Sequence, residues 1–228
     1  MDRIPSGPIY VPKGHAAPYA KRALNPYLTC SFRCPYCYNA VRNPEFFSDK
    51  ALVRGGDPDR LLATLDRQCA AWVGEKHPVH MTFLGDCYQP AEDEMKITRR
   101  CIQTLHKCGF PVQILTKALD LPERDFDLLG RDDRFGVTMT HPSADLVWLL
   151  DEADGHKIPI WMSLEPVESE EMAVNVLVLL AKWKLHPDPL WIGPMNHKSR
   201  PYNWPEVKAV LADTAYQFEI PVRFKDDA

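Results

Sequence analysis

Cys30-Ser31-Phe32-Arg33-Cys34-Pro35-Tyr36-Cys37 brings three thiols within eight residues at C-x3-C-x2-C spacing. A loop this short can turn all three sulfurs toward one metal centre. A structural zinc site is normally closed by a fourth protein ligand, and none is obvious beside these three. The spacing therefore predicts a metal centre that is held by Cys30, Cys34 and Cys37 and keeps one coordination position open.

The remaining cysteines help to separate the candidate metals. They are Cys69, Cys87, Cys101 and Cys108, and no two of them form the second C-x2-C pair that a structural zinc site needs. Iron–sulfur clusters are held by dense runs of cysteine thiolates, and three ligands on a cubane cluster leave one iron open to a small molecule. The pattern favours such a cluster, with a zinc site or a bare redox motif as the alternatives.

The neighbouring residues carry a resemblance to a known family. The segments 24–39, 86–92 and 164–167 resemble radical S-adenosylmethionine (SAM) enzymes, and most of all the group of spore photoproduct lyase and DNA repair photolyase-like proteins. The resemblance implies a [4Fe–4S] cluster whose open iron binds SAM and whose electron cleaves it to a 5′-deoxyadenosyl radical. It also implies a flavodoxin- or ferredoxin-like electron donor as a partner.

Length and composition bound the class of protein. The chain has 228 residues, no run of about 18 apolar residues, and no apolar signal-peptide core at its start. Seven cysteines, three of them clustered, argue against a disulfide framework, so we expect a cytoplasmic protein with no membrane association. Net charge is −4, but residues 1–54 carry 8 Lys/Arg against 3 Asp/Glu. That local excess is either solvated charge on an extended arm or a basic rim that meets an anionic substrate.

Strand and helix patterns alternate along the chain. Residues 1–23, rich in Pro and Gly, predict an irregular arm. Residues 24–228 predict a single radical SAM domain, and alternation predicts βαβ units with a parallel sheet. A closed eight-fold barrel needs about 250 residues, so we expect an α/β fold with a partial (β/α)6-type parallel barrel. The predicted strands are 22–27, 79–84, 112–115, 135–139, 158–164, 190–192 and 221–224. The predicted helices are one starting at Asp57-Pro58, then 91–108, 123–129, 143–150, 168–184 and 205–218.

Polar residues gather where the predicted strands end, which is where α/β barrels place their active sites. After the second strand come Gly85, Asp86 and Cys87. The resemblance suggests that Gly85 and Asp86 contact the SAM amine, and the alternative is an ordinary loop capped by Asp86. Cys87 is either a donor of a hydrogen atom to a substrate radical or a buried structural thiol.

The later strand ends supply the other candidate SAM contacts. Lys117 would bind the SAM carboxylate, with a surface lysine as the alternative, and Tyr36 would lie against the adenine; both roles come from the resemblance. Ser163 and Glu165 project to the same side of their strand and suit ribose hydroxyls or the sulfonium. The remaining candidates for the cofactor site are Thr140, Met195 and Asn196.

The first functional hypothesis is therefore a radical SAM enzyme acting on an unidentified substrate, with nucleic acids and nucleotides left open and the reaction type, lyase or transferase/oxidoreductase, unresolved. One alternative is a non-catalytic iron–sulfur protein for electron transfer or regulation, which would neither bind nor cleave SAM. Another is a DNA lesion repair lyase. Such an enzyme must extract a base from the stack, and no aromatic wedge segment or strongly basic composition signals this.

Overall fold

Seven parallel strands form the centre of the molecule in a computed structural model that describes residues 4–195 and 200–225. Each strand pairs with the next one along the chain, and the sheet curls into a half-barrel. Among the described residues β1 and β7 do not pair, so the barrel stays open. This confirms the predicted α/β partial barrel. The strands are β1 Arg22–Ala23, β2 Val79–Met81, β3 Val112–Thr116, β4 Arg134–Thr138, β5 Ile160–Val167, β6 Leu190–Pro194 and β7 Val222–Phe224.

Helices cover the convex face of the sheet, and local capping explains where several of them begin. The side chains of Asp57, Ser143 and Ser169 each accept a hydrogen bond from the backbone N–H three residues later. The α-helices are α1 Tyr38–Arg42, α2 Pro58–Ala70, α3 Glu92–Met95, α4 Ile97–Lys107, α5 Ala144–Gly155, α6 Glu170–Trp183 and α7 Trp204–Gln217. Short 3-10 helices span Gly14–Ala16, Pro44–Phe46 and Pro122–Leu128.

The two faces of the sheet differ in character. Outward residues such as Val112 and Ile114 pack under the helices in an apolar core. On the concave side lie large, partly polar groups, among them His80 and Trp161. The Trp161 indole N–H donates to the Ile114 carbonyl at 2.7 Å. The indole ring fills the space where a side chain at position 136 would lie, so Gly136 cannot carry a Cβ without a shift of the ring. The concave side is therefore lined by aromatic and polar side chains and is not a second hydrophobic core.

The prediction of one helix over 91–108 was wrong, because the chain forms α3 and α4 with Lys96 between them in the left-handed region, φ 49°. The cause is the buried Glu92 side chain. It accepts hydrogen bonds from the backbone N–H groups of Ile97 and Thr98, which caps the start of α4. Glu92 also accepts a 2.5 Å hydrogen bond from the Tyr27 hydroxyl.

Other differences concern element ends and one missed helix. The segment expected as a helix at 123–129 is the 3-10 turn Pro122–Leu128, and α5 continues five residues beyond the expected end, to Gly155. The helix α1, directly after the cysteine loop, is not among the predicted helices. Within the described ranges, no helix combines the length and apolar character needed to cross a membrane.

The Glu92 network gives a stability prediction. Glu92→Ala should lower the free energy of unfolding by about 3–5 kcal/mol, because it strips the cap from α4 and leaves the buried Tyr27 hydroxyl and the Arg124 guanidinium without their shared partner. Urea denaturation measures this. The matched control is Glu94→Ala in the same short helix, where the side chain is exposed and the cost should stay within about 0.5 kcal/mol. Equal effects of the two substitutions would contradict this role for Glu92.

Candidate active site

The cysteine loop follows β1 along the chain, and backbone hydrogen bonds hold its first residue, Cys30. The backbone N–H of Cys30 donates to the Phe46 carbonyl at 3.0 Å, and the Ser48 N–H donates to the Cys30 carbonyl at 3.1 Å. Cys37 is the residue that precedes the first turn of α1. Between them, Arg33 takes the left-handed conformation with φ 51°. The loop is therefore a turn of defined geometry that is anchored on the segment following α1.

The loop that follows β2 supports the cysteine loop from behind. The buried Gln89 side chain accepts a hydrogen bond from the Ser31 N–H at 3.2 Å and donates one to the Thr29 carbonyl at 3.1 Å. Gly85 lies so close to the Thr29 carbonyl that a Cβ at this position would overlap the oxygen. Glycine is required here for backbone contact between the two loops. Its proposed contact with SAM stays a prediction.

All three thiols of the loop are free and lie near one another. Cys30 is buried, and Cys34 and Cys37 are half-buried. Burial raises the pKa of the Cys30 thiol, against the backbone N–H groups of Asp86 and Phe32, which lower it. Burial also raises the pKa of Cys34, against the lowering influence of the Lys117 ammonium. Thiolates crowded in this way need positive charge beside them.

A cubane iron–sulfur cluster held by the three thiolates would supply that charge. Among the described residues, no group of three or more His, Cys, Asp or Glu side chains is arranged to hold one metal ion. Three thiolates on a cubane bind three different irons, so they need not converge on one point. Soft sulfur donors from one short loop, with no oxygen or nitrogen ligand among them, are the donor set that such clusters use.

Tyr36 connects several of the predicted cofactor-binding residues. Its hydroxyl lies near Thr140 and the Cys34 thiol; burial raises its pKa, and the neighbouring Cys34 raises it further. The ammonium of Lys117 lies 5.8 Å from the centre of the Tyr36 ring. The fold thus brings Cys34, Tyr36, Lys117 and Thr140 together from three separate strand ends.

Asp86 adjoins this group, but its carboxylate already has protein partners. It accepts hydrogen bonds from the Thr116 hydroxyl at 2.6 Å and from the backbone N–H groups of Tyr88 at 2.9 Å and Lys117 at 2.9 Å. Burial raises its pKa, although these hydrogen bonds oppose the shift. Asp86 therefore joins the loop after β2 to the end of β3, as the alternative of a loop-capping aspartate expects. Its contact with the SAM amine stays a prediction.

A second polar group lies in the concave interior around Glu165. The Ser163 hydroxyl donates to Glu165 at 3.0 Å, and the Lys225 ammonium pairs with Glu165 at 3.3 Å. Tyr19, from the N-terminal arm, has its hydroxyl 3.3 Å from Ser163 and its ring centre 3.8 Å from the Lys225 ammonium. Gly193 leaves the space that the Glu165 carboxylate occupies.

Comparisons with known proteins bear on this architecture. No family model matches the sequence. A curated relative, the uncharacterized protein MJ0683 of Methanocaldococcus jannaschii, is 28% identical over 130 residues, which are 54% of this chain and only 45% of that protein. Among solved structures, a spore photoproduct lyase mutant with bound AdoMet and dinucleoside spore photoproduct matches with a TM-score of 0.68 at 12% identity, over 92% of this chain and 78% of that one.

The chain has the fold of spore photoproduct lyase. A second solved structure, Streptococcus suis SuiB bound to S-adenosylmethionine, matches with a TM-score of 0.62 at 11% identity, over 90% of this chain and 50% of SuiB. The resemblance to the spore photoproduct lyase group that the sequence suggests is thus confirmed in the fold. Both of these matched structures contain bound SAM.

Three predicted site residues, Cys87, Met195 and Asn196, lie outside the group around Tyr36 and the group around Glu165. Cys87 is fully buried in the apolar core, with its sulfur 3.8 Å from the Met81 carbonyl, and burial raises its pKa well above the usual value. This location favours the alternative of a structural thiol, and the role of hydrogen-atom donor stays a prediction. Met195 accepts a 2.7 Å hydrogen bond from Arg200 at its carbonyl. Asn196 lies outside the described residues.

Sequence reasoning missed three residues of this region. Nothing in the local sequence marks Gln89 as a site residue, because its hydrogen-bond partners are backbone groups of the distant cysteine loop. Lys225 directly follows β7, so the rule that active-site groups follow strand ends would have found it. Tyr19 lies in the arm that was treated as irregular. It also stacks at 6.2 Å on His80, whose pKa burial lowers to about 3, so that this histidine is neutral at neutral pH.

The contact between Gly85 and Thr29 is directly testable. Gly85→Ala should lower the free energy of unfolding by about 2–3 kcal/mol, because the added methyl group must push the cysteine loop away from β2. Chemical denaturation measures the change. Gly130→Ala is the control, since a Cβ there meets no atom within 4 Å and should cost less than about 0.5 kcal/mol. A Gly85→Ala protein as stable as Gly130→Ala would show that the loops are not in contact.

The ion pair between Glu165 and Lys225 predicts a pH-dependent effect. Burial raises the pKa of Glu165, and Lys225 opposes this. Lys225→Met removes the opposition, so the charged carboxylate becomes more costly and the variant should lose about 3 kcal/mol of unfolding free energy at about pH 8. The difference from the wild type should shrink as pH falls through the raised pKa, because a protonated Glu165 needs no ammonium.

Denaturation curves near pH 8 and near pH 5 measure this dependence. The double variant Lys225→Met/Glu165→Gln should recover much of the loss, since it contains no buried charge. Lys21→Met, at an exposed lysine of the arm, is the control for loss of a surface charge. If Lys225→Met loses the same amount of unfolding free energy at both pH values, the loss would come from packing on Tyr19 and not from the charge of Glu165.

Proposed function

We propose that this chain is a radical SAM enzyme in which Cys30, Cys34 and Cys37 hold three irons of a [4Fe–4S] cluster. The observation that carries the proposal is the set of three free, neighbouring thiols on one loop at the end of β1, in a half-barrel fold. The two matched structures with bound SAM support it. When bound, the cluster supplies the single electron that cleaves SAM to a 5′-deoxyadenosyl radical.

The residues around the loop are suited to the charges of SAM. Lys117 is the cation close to Cys34, and it would pair with the carboxylate of SAM. Tyr36, near Thr140, offers an aromatic ring beside that position. Asp86 supplies negative charge between Cys30 and Lys117, which suits the amine. This pair of opposite charges supports the assignment of Lys117 and Asp86 to the two ends of the amino acid part of SAM.

The concave interior would receive the rest of the cofactor and the substrate. Ser163 and Glu165 point into it, and a hydroxyl beside a carboxylate suits the ribose hydroxyls or the sulfonium of SAM. Both are already hydrogen-bonded or ion-paired within the protein, through Tyr19 and Lys225. In the proposed enzyme, SAM would therefore compete with Tyr19 and Lys225 for these partners, or bind on their outer side.

The reductant and the compartment complete the proposal. A one-electron donor protein of the flavodoxin or ferredoxin kind would reduce the cluster. The excess of Lys and Arg over Asp and Glu in residues 1–54, 8 against 3, suits an acidic partner near the cysteine loop. All seven cysteines are free, which agrees with a reducing compartment such as the cytoplasm.

For the substrate we propose a nucleotide or nucleic acid. The support is the matched lyase structure, which holds a dinucleoside spore photoproduct, together with the basic balance of residues 1–54. The reaction type is left to experiment. Dinucleoside spore photoproduct is the first compound to test, and its conversion to two free thymidine units would identify a DNA lesion lyase.

The decisive assay is anaerobic. The protein is reconstituted with iron and sulfide, reduced with dithionite, and given SAM, and 5′-deoxyadenosine is measured. We expect its formation in the wild type and its loss to background in Cys30→Ala, Cys34→Ala and Cys37→Ala, because each variant lacks one thiolate of the cluster. Cys101→Ala is the matched control, since this cysteine is fully buried in α4 and should leave the yield unchanged.

The same assay separates the proposal from its main alternative. A cluster that assembles and cycles between redox states, but neither binds nor cleaves SAM, would identify an electron-transfer or regulatory protein. Loss of 5′-deoxyadenosine in Cys101→Ala as well would show that the losses report general damage and not cluster ligation.

A further inference from the structure

The N-terminal arm crosses the open side of the half-barrel. Tyr10 and Ala23 exchange two backbone hydrogen bonds, each of 2.9 Å, so the arm pairs antiparallel with β1. Residues 11–22 leave this bridge and return to it, and we call them the arm loop. The Lys225 ammonium, which follows β7, donates to the His15 carbonyl at 3.1 Å. The arm loop therefore reaches from β1 to β7, the two edge strands of the sheet.

Tyr19 is the residue of the arm loop that enters the concave interior. Its hydroxyl lies 3.3 Å from the Ser163 hydroxyl, and its carbonyl accepts a 3.2 Å hydrogen bond from the Gln113 side chain. The Lys225 ammonium lies 3.8 Å from the centre of its ring. We call the surroundings of this ring the ring site. Its aromatic walls have ring centres 5.5 to 6.2 Å from that of Tyr19, and they are His80, Phe83, Trp161 and Trp191.

The remainder of the arm loop is weakly attached. Residues 13–18 are exposed, apart from the half-buried Ala16. In the described part of the chain, the hydrogen bonds that join residues 13–19 to the barrel are made by His15 and Tyr19. Segments with exposed backbone and few buried contacts open locally at a small cost in free energy. The arm loop is therefore a segment that can detach while the sheet stays intact.

The ring site offers more hydrogen-bonding groups than a phenol can use. The one hydroxyl of Tyr19 engages Ser163. The fully buried His80, whose ring stacks on Tyr19, has a ring nitrogen with no hydrogen-bond partner among the described residues. The Gln113 amide and the Lys225 ammonium are further donors. A nucleobase combines a flat ring that stacks on aromatic side chains with several nitrogens and carbonyl oxygens at its edge, so it matches these groups better.

We propose that the arm loop is a hinged lid and that Tyr19 is its plug, which occupies the place of the nucleobase of the substrate. The proposal rests on the substrate class given above, a nucleotide or nucleic acid. On opening, the lid turns about the paired Tyr10 and Ala23, and Tyr19 leaves the ring site. Ser163 and Gln113 then become free to bind the base. The apparent affinity for a base is reduced to the fraction of molecules whose lid is open.

Limited proteolysis tests the lid in the wild-type protein. The full chain is reconstituted with iron and sulfide, given neither reductant nor SAM, and digested briefly with trypsin with and without excess thymidine. Lys13 and Lys21 are exposed residues of the arm loop, but trypsin needs a detached segment around them. With an open state populated at about 10%, thymidine should raise the rate of cleavage after both lysines about tenfold. Arg131, exposed in the turn before β4, is the internal control and should be cut at an unchanged rate.

Removal of the plug is the second test. Tyr19→Ala leaves the ring site open, so calorimetry should show thymidine bound about tenfold more tightly than in the wild type. Tyr19→Phe keeps the ring in place and should gain much less affinity. Tyr216→Ala, at an exposed tyrosine of α7, is the matched control and should leave the affinity unchanged.

Either of two results would overturn the proposal. One is a rate of cleavage after Lys13 and Lys21 that excess thymidine leaves unchanged, and this result needs no substitution. The other is a folded Tyr19→Ala protein that binds thymidine no more tightly than Tyr216→Ala. Adenosine in the same assays separates a substrate base from the adenine of SAM, and a lid that opens for adenosine but not for thymidine would also overturn the proposal.

None of these readouts depends on the formation of 5′-deoxyadenosine. A chain that binds thymidine beneath the lid but does not cleave SAM would contradict the radical SAM proposal alone. A chain that cleaves SAM while its lid does not respond to thymidine would contradict the lid alone.

Discussion

The close approach of Gly85 to the Thr29 carbonyl is the constraint on which the rest of the candidate site depends. The cysteine loop has little regular structure of its own, so its position must come from what it touches. Gly85 lets the backbone after β2 come into contact with it, and Gln89, four residues later, fastens it with two hydrogen bonds. Asp86, between them, reaches across to the end of β3. One short loop therefore sets the cysteines in register with the sheet.

Most of the fold could be predicted from local pattern, because strand and helix periodicity and N-caps are local properties. The caps at Asp57, Ser143 and Ser169 mark helix starts within two residues of the predicted ones. The break between α3 and α4 could not be predicted, since it depends on Glu92 turning inward to meet Tyr27, which lies 65 positions earlier. Local propensity treats such a glutamate as a helix former and contains no information about its distant buried partner.

The candidate site likewise contains some residues that a local rule predicts and others that depend on long-range contacts. Cys34, Tyr36, Lys117 and Thr140 meet because parallel strands end at one edge, and this rule can be applied to a sequence. The contact of Tyr19 with Ser163 spans 144 positions and joins an arm without periodicity to the interior, so no local rule predicts it. Residue type alone does not separate the two interpretations of Cys87, which carries a reactive group but lies fully within the core.

Burying charged and polar side chains in the interior of the half-barrel lowers the stability of the fold, so these side chains call for an explanation other than stability. Glu165 and Lys225 are largely buried, and burial opposes the charged form of each. Replacing such a pair with apolar side chains often preserves or raises stability, so stability alone is a weak reason for it. His80 adds a buried ring nitrogen that has no hydrogen-bond partner among the described residues. The Glu92 network shows that buried charges also serve folding elsewhere in this chain, whereas the buried polar groups of the concave side are the ones that the proposed function would use to bind a polar ligand.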